Sequence, residues 1–165
     1  MESAWEHEKY ERMLGRNETP ALLAELVDDG RLDDLDDLAI AIEEAWTMAD
    51  LPLLALPRRR WIELFERVGF LSDSVRSEAL KPRMPLTLYR AATAHDRRTP
   101  GLAWSPDLDK AIFFQQYNSR YTPYPLFLFA ATVEPHQMLA YFHQSRGEDE
   151  YIVNISNRSI RQLRP

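Results

Sequence analysis

Three short stretches in the second half of the chain combine residue types that suit chemistry on a charged substrate. They are residues 88–91 (Leu-Tyr-Arg-Ala), 101–106 (Gly-Leu-Ala-Trp-Ser-Pro) and 147–153 (Gly-Glu-Asp-Glu-Tyr-Ile-Val). The guanidinium of Arg90 offers planar donors that fit phosphate oxygens. The carboxylates of Glu148 and Glu150 can stabilise a developing positive charge and accept a proton. We therefore take Arg90, Ser105, Glu148 and Glu150 as candidate functional residues.

Each stretch also has an ordinary structural explanation. An arginine at a strand end often makes a surface contact, and a serine before a proline often begins a helix. Acidic residues beside a glycine often form a solvated turn. The order of the three stretches along the chain is more specific than any one of them.

The two glutamates are spaced so that they share one face of a strand. Side chains alternate between the faces of a strand, so Glu148 and Glu150 point the same way, roughly 6–7 Å apart. Asp149 and Tyr151 then lie on the opposite face, which is apolar beyond Asp149. The spacing predicts two carboxylates side by side over one cleft.

The ordered arginine, serine and glutamate resemble ADP-ribosyltransferases of the arginine–serine–glutamate type, which include cholera-toxin-like enzymes and phage transferases. The resemblance covers about half of the chain, residues 86–155. It implies that NAD is a substrate, that Arg90 contacts NAD and that Ser105 orients the glutamate site. It also implies that Glu150 is the catalytic glutamate and Glu148 the upstream member of the pair.

Further contacts with NAD are expected beside Arg90. Ala91 belongs to the string that carries the arginine, and Trp104 or Phe114 is expected to stack on the cationic nicotinamide ring. Family members commonly have Ser-Thr-Ser or Ser-Trp-Thr in the middle stretch, whereas this chain has Ala103, Trp104 and Ser105. A core role is the alternative for both aromatic residues.

The Glu-x-Glu spacing accompanies transfer to arginine side chains in the family. The resemblance therefore implies an NAD-dependent mono-ADP-ribosyltransferase, a glycosyltransferase that modifies arginines of an acceptor protein. Three alternatives stay open. The chain is an NAD glycohydrolase if water is the acceptor, a binding module if the site is inactive, or an unrelated α+β protein if the three stretches coincide by chance.

Composition excludes several other kinds of site. The 165 residues contain no cysteine, which removes disulfides, thiolate metal sites and cysteine nucleophiles. The five glycines form no phosphate-binding loop of the dinucleotide or P-loop type, and the four histidines are scattered. We expect no metal in the site.

Charge is unevenly distributed along the chain. Residues 1–80 carry a balance of −10, and residues 81–165 a balance of +4, within a total of −6. The second half is therefore expected to attract an anionic ligand such as a diphosphate. Because the whole chain is negative, we do not expect nucleic acid as a partner.

The period of the apolar residues changes near residue 80. Residues 3–14, 19–30, 35–46 and 57–69 are predicted to form helices, residues 71–85 a linker, and residues 108–117 a helix that begins at Ser105-Pro106-Asp107. Predicted strands cover residues 86–90, 102–104, 126–133, 138–142, 149–155 and 158–163. The fold class is α+β: a helical region, residues 1–80, packed on a strand-rich core, residues 86–165, which the resemblance makes ADP-ribosyltransferase-like.

Targeting signals are not evident in the sequence. The first residues are acidic, unlike a signal peptide, and the longest apolar stretches, Leu51–Leu56 and Leu126–Ala131, are too short to span a bilayer. We expect a cytoplasmic protein with no membrane partner.

Overall fold

Five α helices account for most of residues 2–80 in the computed structural model, which describes residues 2–144 and 149–164. They are α1 (Ala4–Glu11), α2 (Thr19–Asp28), α3 (Leu35–Met48), α4 (Pro52–Ala55) and α5 (Arg58–Val68). The chain divides into two compact units, a helical unit that ends at Leu80 and a strand-rich unit that begins at Lys81. Four of these helices are those predicted from the sequence, and the single turn of α4 was not predicted.

Local signals in the sequence explain the helical unit. The Asp34 carboxylate accepts hydrogen bonds from the amides of Asp36 and Asp37 and so caps α3. The apolar face of α3 is buried, and Trp46 on that face meets Trp61 of α5 edge to face, with ring centroids 5.0 Å apart. The helices are thus held by an aromatic core that the periodic pattern had indicated.

A hairpin replaces part of the linker that was predicted for residues 71–85. Strands β1 (Leu71–Ser72) and β2 (Val75–Arg76) pair antiparallel. Asp73 and Ser74 form the turn with φ angles of 42° and 67°. The linker prediction is wrong here because two-residue strands are too short to show a period.

The strand-rich unit contains two antiparallel sheets and one α helix among the residues that the structure describes. The elements are β3 (Leu86–Ala92), β4 (Ala103–Trp104), α6 (Leu108–Asn118), β5 (Phe127–Val133), β6 (Met138–Phe142), β7 (Glu150–Val153) and β8 (Ile160–Gln162). One sheet has the order β3-β5-β8, and in the other β7 lies between β4 and β6. Helices and antiparallel strands together confirm the α+β class.

Burial and capping in this unit follow the sequence with small shifts. Strand β5 is buried on both faces over Phe129–Ala131, as its continuous apolar run had indicated. Helix α6 has Asp107 as its N-cap, whose carboxylate accepts from the amides of Asp109 and Lys110. Over residues 2–144 and 149–164, no helix is both long and apolar enough to cross a membrane.

Candidate active site

Strands β3, β4 and β7 bring three of the predicted site residues to neighbouring positions. Tyr89 and Ser105 exchange two backbone hydrogen bonds, of 2.7 and 2.8 Å, which join the end of β4 to β3. On the other side of β4, Trp104 lies opposite Tyr151 of β7. Arg90 directly follows Tyr89, and Glu150 directly precedes Tyr151. The backbone pairing thus sets Arg90 of β3, Ser105 directly after β4, and Glu150 of β7 on three adjacent segments of the chain.

Arg90 is fixed by an acid and by a backbone carbonyl. Its Nε donates to Asp96 Oδ2 at 2.7 Å, and its Nη1 donates to the Ala103 carbonyl at 3.0 Å. The side chain remains 25% exposed. Among the described residues, Nη2 has no hydrogen-bond partner. Arg90 is therefore a pre-positioned cation that keeps donors for an anionic ligand.

Asp96 and Gly101 both contact the guanidinium of Arg90. Asp96 is 6% exposed and also accepts a hydrogen bond from the Gly101 amide at 3.0 Å. A Cβ on Gly101 would overlap the guanidinium of Arg90, so the close approach depends on glycine. No role for Asp96 is predicted from the sequence, in which the only signal is an acidic residue six positions after a strand-end arginine.

Ser105 links the site to the start of α6. Its Oγ accepts a hydrogen bond from the Asp107 amide at 3.1 Å, and its backbone is paired with Tyr89. The hydroxyl still has its proton to donate. If the β4–β7 register is continued by one residue, Ser105 lies opposite Glu150. This position agrees with a serine that orients the glutamate.

Glu150 is the first residue of β7 and is half-buried, opposite Phe142 of β6. Its carboxylate is thus partly shielded at the end of a strand. Glu148 lies outside the residues that the structure describes. The predicted pairing of the two carboxylates therefore stays a prediction.

Asp149, the neighbour of Glu150, is an anchor for the start of β7. Its carboxylate accepts from Lys110 Nζ at 3.0 Å and Tyr141 Oη at 2.7 Å, and His143 Nδ1 lies 2.6 Å from it. Hydrogen bonds from Tyr141, Lys110 and His143 lower the pKa of Asp149 to about 2. Tyr151, two residues on, stacks on Tyr141 with ring centroids 4.5 Å apart.

The alternation of side chains along the strand predicts Asp149 on an apolar face but does not indicate its partners. A charge on such a face requires hydrogen-bond donors nearby, and that requirement was the available signal. The anchor ties β7 to β6 and α6 immediately beside Glu150.

The other residues expected to contact NAD, which are Trp104, Phe114 and Ala91, differ in how far they are buried. Trp104 is 1% exposed, and its indole N–H donates to the Gly101 carbonyl at 2.8 Å. The prediction that Trp104 stacks on a ligand is therefore wrong, because both faces of its ring are covered. Trp104 is a core residue. Phe114 on α6 is half-buried against Phe113, with centroids 5.8 Å apart. Ala91 is half-buried opposite Leu128 of β5.

The described residues contain no group of three or more carboxylate or imidazole side chains that could hold a metal ion. Arg90, Ser105 and Glu150 lie on neighbouring backbone segments of the strand-rich unit. Comparison of the chain with protein-family models, with curated proteins and with solved structures finds no match. We therefore infer function from the side chains and their geometry.

Proposed function

We propose that this protein is an NAD-dependent mono-ADP-ribosyltransferase that modifies arginine side chains, and that residues 86–165 form an ADP-ribosyltransferase-like core. The observation that carries the proposal is the pairing of Tyr89 with Ser105. This pairing joins the segments that carry Arg90 and Ser105, and the pairing of β4 with β7 adds the segment that carries Glu150. The residue types and their order agree with the resemblance seen in the sequence.

Arg90 is suited to bind the diphosphate or a phosphate oxygen of NAD. Asp96 and the Ala103 carbonyl use Nε and one N–H of Nη1, which leaves the N–H groups of Nη2 for the ligand. An arginine that two hydrogen bonds already hold loses little side-chain entropy when it binds a ligand. The net charge of +4 in residues 81–165 favours the approach of an anion.

Glu150 is suited to the step that breaks the bond between nicotinamide and ribose. The electron pair of that C–N bond leaves with nicotinamide, which becomes neutral, and positive charge develops on the ribose. The Glu150 carboxylate stabilises this oxocarbenium-like transition state, as carboxylates do in glycoside hydrolysis. Its half-buried position strengthens the interaction, because nearby water is reduced.

The acceptor completes the reaction. A guanidinium nitrogen of the acceptor arginine attacks the ribose carbon, forms a new C–N bond and loses a proton. We assign the positioning of that guanidinium and the acceptance of its proton to Glu148. Water in place of the guanidinium gives free ADP-ribose.

The experiment that tests the proposal is incubation of the purified chain with NAD labelled in its adenosine half, with and without agmatine as an arginine mimic. Label transferred to agmatine supports the transferase. Free ADP-ribose alone supports an NAD glycohydrolase, and intact NAD after long incubation contradicts both and leaves a binding module.

The Glu148→Gln variant sharpens the assignment of the acceptor. We expect it to abolish transfer to agmatine while much of the hydrolysis of NAD remains, because water needs less help than a guanidinium. Equal loss of both products would show that Glu148 is not specific to the acceptor. Glu66→Gln, a change at an exposed residue of α5, is the matched control.

A further inference from the structure

Exposed aromatic rings form a ladder along α6 and the turn that follows it. Phe113, Tyr117 and Tyr121 are 59%, 46% and 72% exposed, and we call these three residues the α6 aromatic surface. The rings of Phe113 and Tyr117 are nearly parallel with centroids 5.9 Å apart, and those of Tyr117 and Tyr121 are 5.3 Å apart. Contiguous exposed rings, unlike single exposed side chains, are typical of a binding surface.

Two polar side chains lie beside the rings, Gln116 on α6 and Arg120 in the turn that follows it. Gln116 and Arg120 stand three residues after Phe113 and Tyr117, respectively, which is the spacing of neighbours on a helix. Both are exposed. Within residues 2–144 and 149–164, neither side chain has a hydrogen bond or an ion pair. An amide and a guanidinium therefore flank the rings with their donors unused.

The segment that carries this surface has one charged side chain, the cation of Arg120, between Lys110 and Glu134. No aspartate or glutamate occurs between Lys110 and Val133. The expectation that nucleic acid is not a partner rested on the whole chain, but the excess negative charge lies in residues 1–80. A hydrogen bond between the Tyr117 and Tyr121 side chains raises the pKa of Tyr121. No carboxylate of α6 beyond Asp109 opposes a phosphate chain.

We propose that the α6 aromatic surface binds single-stranded RNA. The flat rings stack on unpaired bases, which explains why this face carries aromatic rather than aliphatic side chains. Arg120 contacts a phosphate, and the Gln116 amide hydrogen-bonds a ribose 2′-hydroxyl, a group that DNA lacks. This binding is independent of the NAD chemistry proposed above, since no residue of that site takes part in it.

The test is fluorescence anisotropy of a labelled oligouridylate titrated with the full chain at low salt, beside the matching oligodeoxyuridylate. We expect Tyr117→Leu and Tyr121→Leu each to weaken RNA binding about 5- to 100-fold, as loss of one stacked base does. Arg120→Gln should lower the slope of log K against log salt by about one. Tyr10→Leu, which removes a ring that is 79% exposed on α1, should leave binding unchanged.

Several outcomes would overturn the proposal. They are an absence of saturable binding by the wild-type chain, equal affinity for the deoxy oligomer, and equal weakening by Tyr10→Leu. Sedimentation of the same variants covers the main alternative. If the wild-type chain self-associates, Tyr117→Leu abolishes that association and RNA does not bind, then the surface joins copies of the chain instead.

Discussion

Two ion pairs, one in the helical unit and one in the strand-rich unit, hold their charges differently. In the helical unit, the ion pair of Arg67 with Asp33 joins side chains that are 38% and 71% exposed. In the strand-rich unit, Arg90 and Asp96 pair with exposures of 25% and 9%, and backbone groups of the same loop bind both of them. An exposed pair contributes little to stability, whereas a shielded pair with backbone partners fixes the direction of its side chains.

The difference in exposure distinguishes charged side chains that keep a helical surface solvated from charged side chains that are held in one direction. Pairs like that of Arg67 with Asp33 recur over α1, α2 and α5, and their side chains can turn away at little cost. The guanidinium of Arg90 has little such freedom, because Asp96 is buried and Gly101 lies directly beneath it. Orientation, more than the number of charges, distinguishes the candidate site.

The largest effect on stability is expected from Asp96→Ala. The change leaves the Arg90 guanidinium and the Gly101 amide without their acceptor, so we expect a loss of about 2–3 kcal/mol in the free energy of unfolding. Asp33→Ala, in the exposed pair, should cost less than about 1 kcal/mol. Urea denaturation of both variants measures the difference, and equal costs would remove the contrast between the two units.

A smaller loss is expected from Asp149→Asn, with a defined pH dependence. The pKa of Asp149 in the folded chain, about 2, is below its ordinary value of 3.8, so its stabilisation is present above about pH 4 and is lost as the pH falls toward 2. At pH 7 we expect the variant to be less stable by roughly 1–2 kcal/mol. A difference from wild type that stays constant from pH 7 to pH 2 would show that the charge of Asp149 is not the cause.

The smallest effect on stability is expected from Glu43→Gln in the helical unit, and it is a gain rather than a loss. Glu43 is buried and bonded to the Ser74 hydroxyl, and burial raises its pKa. A raised pKa in the folded chain means that stability is lost as the pH rises through it. Glutamine removes this cost, so the variant should gain up to about 1 kcal/mol at pH 7 and nothing at pH 3. Thermal unfolding at the two pH values checks this, and destabilisation at pH 7 would contradict it.

The longer helices and strands, in which the apolar pattern extends over many residues, could be predicted from the sequence. Helix α3 combines an aspartate cap with a stripe of apolar residues, and β5 is a continuous apolar run between prolines. Such signals are local, so one sequence suffices to read them. The types and order of the candidate residues Arg90, Ser105 and Glu150 are also visible without coordinates, and their roles stay predictions.

The contacts that hold Arg90 and Asp149 in place could not be predicted from the sequence, because they depend on pairing between distant segments. The bond from Arg90 to Asp96 requires the loop after β3 to fold back, and the three donors to Asp149 come from α6 and from the end of β6. The burial of Trp104 likewise follows from its place between β3 and β7. Neither register nor burial of a two-residue strand is encoded in a local period.

Release of nicotinamide from NAD by wild type, Glu150→Gln and Glu66→Gln tests the proposed function most directly. Glutamine keeps the shape of Glu150 but removes its charge, so we expect release to fall about 10²–10³-fold, as for the loss of one electrostatic stabiliser. Glu66→Gln should match wild type, and circular dichroism should show all three folded. Equal rates in wild type and Glu150→Gln, or no release by wild type, would contradict the assignment of Glu150 as the residue that breaks the nicotinamide–ribose bond.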